Sequence, residues 1–104
     1  YKDAVKDMVG ETSKDVCEIP VISPNWDHTP RSGNNGTLFY NCQPQYFKGL
    51  VKRVIALVKH KPKEEQVVLI KAWNEWGEGN YMEPDLKYGR GMLEALKAGI
   101  EESK

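Results

Sequence analysis

The sequence predicts a small α/β unit: two parallel strands joined through a helix, with a further helix behind them. Three observations carry this. A short apolar stretch holds Ile19, Val21 and Ile22. Residues 44–60 then repeat apolar side chains at helical spacing, and Val67-Val68-Leu69-Ile70 forms an unbroken apolar run. A continuous run, rather than an alternating one, is expected of a parallel strand covered on both faces. Strand, helix and strand in that order make a βαβ unit with a right-handed crossover.

Taken in chain order, residues 1–9 place Tyr1, Val5, Met8 and Val9 on one side of a helix, with Lys2, Asp3, Lys6 and Asp7 opposite. Gly10 suits its C-cap. Cys17 to Ser23 reads as the first strand, with Pro20 favouring an edge or an opening position. Pro24 to Asn41 is rich in Pro, Asn, Gly, Ser and Thr. It forms a loop of about eighteen residues, long enough to suggest a functional role. The helix over 44–60 opens with Pro44 at its first position and Gln43 or Asn41 near the cap. Phe47, Leu50, Val51, Val54, Ile55 and Val58 form its core stripe, and Pro62 stops it. Gln66 to Ala72 is the second strand. A last helix covers roughly 88–102 with Met92, Leu93, Leu96 and Ile100 inward.

Length and charge narrow the function classes. The 104 residues fit one domain. Fifteen basic residues balance fifteen acidic ones, which argues against a nucleic-acid partner. No apolar run approaches a membrane span. Cys17 and Cys42 match neither a disulfide framework nor a zinc spacing, and are expected as reduced, partly buried thiols. Asn35-Gly36-Thr37 has the form of a glycosylation sequon, but it sits within turn formers that account for its composition. His60 lies in a solvated connector. The first residue is Tyr1 rather than Met, so the chain is expected to be processed or cut from something longer.

Polar chemistry gathers after the two strands, where parallel α/β folds place their sites. Pro24-Asn25-Trp26-Asp27-His28-Thr29-Pro30-Arg31 follows the first strand. Trp73-Asn74-Glu75-Trp76-Gly77-Glu78-Gly79-Asn80-Tyr81-Met82-Glu83-Pro84-Asp85 follows the second. Glu75 and Glu78 are three residues apart, on one side of a helical or tight-turn backbone, beside two indoles. Such a pair can divide into an acid that stays protonated and a base or nucleophile that stays ionised, as glycosyl transfer requires. Exposed Trp and Tyr faces suit the apolar faces of sugar rings. The same residues also fit a plainer reading, with the glutamates as solvated loop carboxylates or helix caps and Trp73 as core. Asp27 can orient a Glu or a sugar hydroxyl, or cap a turn with Thr29. No metal-ligand spacing is present.

The string Trp73-Asn74-Glu75-Trp76-Gly77-Glu78-Gly79, continued by Tyr81-Met82-Glu83-Pro84-Asp85 and Tyr88-Gly89, resembles the WbsX-type proteins of bacterial surface-polysaccharide biosynthesis. These are named as glycosyltransferases and are similar to the endo-α-mannosidase family of glycoside hydrolases. The segment Pro24 to Arg31 resembles the same family's upstream element, with His28 where Asn is expected. The resemblance implies a (β/α)₈ barrel, of which this chain is the C-terminal βαβ-α portion with two parallel strands and about three helices. It also implies that Glu75 assists the substrate's own 2-hydroxyl as base and Glu78 protonates the leaving oxygen. Trp26, Asp27, Trp73, Asn74, Trp76, Tyr81 and Glu83 are the expected sugar-binding residues.

The expectation is therefore a segment of a carbohydrate-active protein of lipopolysaccharide or surface-polysaccharide biosynthesis, acting on a carbohydrate without cofactor or metal, in the cytoplasm. Two other classes stand beside it: a non-catalytic sugar-binding module, and a structural piece that closes a barrel and is inactive alone. Open sheet edges make self-association an expected partner mode.

Overall fold

The computed structural model describes residues 1, 19–27, 29, 33–35, 39 and 41–104. The helix expected over residues 1–9 lies outside the described residues apart from Tyr1, as do Cys17 and His28. In chain order, strand β1 (Val21–Ile22) is followed by helix α1 (Pro44–Val58) and then by strand β2 (Leu69–Ile70). A hairpin of β3 (Asn74–Glu75) and β4 (Asn80–Tyr81) follows, and helix α2 (Gly91–Glu101) ends the chain. β1 and β2 pair in parallel, with Val21 opposite Leu69 and Ile22 opposite Ile70. The result is a mixed α/β unit with two parallel strands and two described α-helices.

Helix α1 forms as the apolar spacing requires. Pro44 opens it, its missing N–H falling where a helix has no acceptor to offer. Phe47, Leu50, Val51, Val54 and Val58 are buried and Ile55 is half-buried. The helix ends at Val58, short of the expected residue 60, and Gln66 caps the turn that follows. Its side-chain amide donates to the carbonyls of Lys59 and, at 2.9 Å, Lys61.

Helix α2 starts at Gly91 rather than residue 88, because Asp85 and Gly89 pair first as an isolated bridge. Its inward face matches the expected one at Met92, Leu93 and Leu96, which pack on the core, and departs from it at Ile100. Met92, Ala95 and Gly99 are buried, Leu93 and Leu96 are half-buried, and Ile100 is exposed. The cause is close helix packing. A Cβ on Gly99 would stand 2.7 Å from Val51 Cγ1, so the small residue marks the contact line and turns Ile100 outward.

The strands are shorter than the apolar runs that announced them, and among the described residues the sheet is covered on one face only. Ile22 is buried and Val68 and Ile70 pack against the helices. Ile19, Val21, Val67 and Leu69 stay exposed, Leu69 at 52%. The run Val67–Ile70 thus carries the composition of a strand covered on both faces while one face is bare. Two-residue strands follow from this, since nothing pairs with their outer edges among the described residues. After the second strand the chain forms the β3–β4 hairpin, whose strands no apolar pattern announces. Its four connecting residues contain a 3₁₀ turn over Trp76–Glu78, closed by Gly79 in the left-handed region at φ +56°.

Candidate functional site

The two polar segments meet at the carboxyl ends of β1 and β2. The Asp27 N–H donates to the Glu78 carbonyl at 2.8 Å. A Cβ on Gly79 would lie 2.8 Å from Asp27 Cβ, so only glycine lets the hairpin turn approach this loop. Beneath the contact, Asn80 is 1% exposed and acts as a clamp. Its amide donates to Ser23 Oγ at 2.6 Å, to the Asn25 carbonyl, and to the Lys71 carbonyl at 3.0 Å. The Tyr81 N–H in turn donates to Asn25 Oδ1 at 2.8 Å. One buried amide thereby ties the chain after β1 to the chain after β2.

The sequence-predicted residues divide around this clamp. Asp27 Oδ1 accepts from both the N–H and the hydroxyl of Thr29, so its side chain caps a turn. The hydroxyl first, and then the N–H, hold this carboxyl below its ordinary range. Glu75 is exposed at the end of β3, and Glu78 is half-buried at the end of the 3₁₀ turn. Trp73 is exposed rather than core, at 55%. Asn74 is exposed and stands opposite Tyr81 in the hairpin. Trp76 stacks on Tyr81 with ring centroids 3.7 Å apart and 15° between planes. The Trp76 indole N–H donates to Glu83 Oε1 at 2.9 Å, which orients the ring and occupies that carboxylate. The Tyr81 hydroxyl donates to Asp85 Oδ2 at 2.8 Å. Burial, then this bond, pushes the phenol up to about 12.

A cleft of about 420 Å³ opens beside the clamp, within the range of small-ligand sites. Trp26, Asp27, Phe39, Tyr81, Asp85 and Lys87 are among its walls, whereas Glu75 and Glu78 are not. Cys42 also lines it, half-buried, with its thiol donating to the Phe39 carbonyl and pushed up chiefly by burial. Sequence reasoning assigns no role to Asn25, Asn80, Asp85 or Lys87. Asn80 follows Gly79 and reads as an ordinary turn residue. Nothing in its neighbours signals burial. Among the described residues, no group of three His, Cys, Asp or Glu side chains is placed to hold a metal ion. Nor is any helix there long and apolar enough to cross a membrane.

An α/β unit with aromatic and carboxylate side chains grouped at its parallel strand ends is the class that fold and site define. The chain belongs to the Glycosyltransferase WbsX family, whose model matches residues 1–96. It is similar to proteins called WxcX, described as uncharacterized, from two strains of Xanthomonas campestris pv. campestris, B100 and ATCC 33913. Identity is 28% over 101 residues with each, covering 96% of this chain. The chain spans 14% of the length of these relatives. No solved structure matches it.

Proposed function

We propose that the chain is the C-terminal βαβ-α portion of a (β/α)₈ barrel in a carbohydrate-active enzyme of bacterial surface-polysaccharide biosynthesis. In this reading Glu75 acts as base on a sugar hydroxyl and Glu78 as acid toward the leaving oxygen, by transfer or hydrolysis. Trp73, Trp76 and Tyr81 offer aromatic faces to the sugar, and Trp26, Asp27, Asn74 and Glu83 complete the binding surface. The observation that carries the reading is the joint between strand ends. The hairpin bearing both glutamates is fixed to the β1 loop through the Asp27–Glu78 hydrogen bond at 2.8 Å. That is where parallel α/β enzymes assemble their sites. The family's name supports the carbohydrate class. The bare apolar sheet face, and the small share of the relatives that the chain spans, support a larger barrel.

The test is Glu75→Gln and Glu78→Gln in the full-length polypeptide. Each is expected to lower turnover by at least about a hundredfold, the usual span of one acid or base group. Circular dichroism is expected to be unchanged. Retained turnover in both variants would remove the catalytic pair. A second reading, a sugar-binding surface without catalysis, is favoured by the exposed stack of Trp76 on Tyr81. It predicts unchanged sugar binding in both glutamine variants and loss of binding in Trp76→Ala.

A further inference from the structure

A second open cleft, of about 530 Å³, is walled by Trp76, Tyr81, Pro84, Asp85, Leu86 and Lys87. Tyr81, Asp85 and Lys87 also wall the cleft beside the clamp, so the two adjoin along these side chains. Each is large enough for one small ligand. The shared wall is tied down. Asp85 accepts from the Tyr81 hydroxyl at 2.8 Å and from the Tyr88 N–H at 2.7 Å. Its main chain pairs with Gly89 in both directions, and Gly89 closes the turn at φ +56°. Across from this turn, Trp76 is stacked on Tyr81 and held by Glu83. The tied turn nonetheless holds Leu86 fully exposed, an apolar side chain on the wall of the second cleft. Walls fixed in advance lose little freedom when a ligand binds. The turn that carries Glu78 borders both clefts. Trp76, which opens it, walls the second, and Gly79, which closes it, walls the first.

We infer that the second cleft takes a second sugar unit, so that the ligand is a chain of at least two sugars whose linkage lies at the shared wall. This rests on the carbohydrate reading above and narrows its substrate class. The walls complement a pyranose. The Trp76 and Tyr81 rings, Pro84 and Leu86 offer carbon to its C–H faces. The Lys87 ammonium donates to its hydroxyls, and the Asp85 carboxylate accepts from them. A single sugar fills one cleft and leaves the other to water. The test is calorimetry and protein-observed NMR on the full chain, with two probe pairs: D-mannose against α-1,3-mannobiose, and D-glucose against maltose. In a pair that binds, the disaccharide is expected to bind about tenfold tighter or more, as the added contacts of a second unit would give. Leu86 has no packing to lose, so Leu86→Ser is expected to keep the fold and the affinity for the single sugar while shrinking the disaccharide's advantage. Lys87→Met, at the shared wall, is expected to weaken both. Equal affinity for one and two sugars would overturn the second subsite and leave the carbohydrate reading standing. So would an advantage that survives Leu86→Ser. Binding in neither pair would overturn it as well, while turnover lost in the glutamine variants would still speak separately for the Glu pair.

Discussion

Tyr81 joins three separate features: its ring lies against Trp76, its hydroxyl donates to Asp85, and its N–H reaches Asn25. The phenol is raised to about 12, first by burial and then by Asp85. The folded state therefore holds this proton more tightly than the unfolded chain does. The associated stability is full below the ordinary tyrosine value, about 10, and is lost as pH rises through about 12. A spectrophotometric titration is expected to show Tyr81 still protonated at about pH 11, with Tyr81→Phe removing the late step. Aromatic neighbours and a run of glycines make this region legible as a site from sequence alone. The identity of the clamp is not legible there. Asn80 looks like a turn residue because its burial arises from a segment far away in sequence, at Ser23 and Asn25.

The elements show the same division between local and distant causes. Helix α1 is readable because six apolar residues at helical spacing admit little else, and Pro44 marks its start. The inward face of α2 is readable at Met92, Leu93 and Leu96, but Ile100 is misplaced because Gly99 has no side chain to weigh, yet it decides where the helices touch. The two glycines make a paired test. Gly49 sits within α1 with open space where a Cβ would stand, so Gly49→Ala is expected to stabilise the fold by about 0.5–1 kcal/mol. Gly99→Ala gains the same propensity but places a Cβ 2.7 Å from Val51. It is expected to destabilise by about 1–3 kcal/mol net of that gain. Thermal melts of the two variants should move in opposite directions. The β3–β4 hairpin reads only as a tight turn, since two-residue strands leave almost no alternation to detect.

At the scale of the molecule, the bare sheet face dominates. Ile19, Val21, Val67 and Leu69 together present an apolar surface beside strand edges that are unpaired among the described residues. The chain on its own is expected to self-associate with rising concentration, and Leu69→Lys to reduce this in analytical ultracentrifugation without lowering the melting temperature. Parallel pairing and the helical layer are foreseeable from the order of runs. The one-sided cover is not, because an apolar run records what a strand is suited to meet rather than what lies against it. The joint beneath the hairpin turn has its own consequence for motion. Asp27 donates to the chain after β2 and Tyr81 donates to the chain after β1, so each amide is protected by the other segment. Neither can open alone. Their deuterium exchange should follow one shared opening event, with the same free energy and the same denaturant dependence, although 54 positions of sequence separate them.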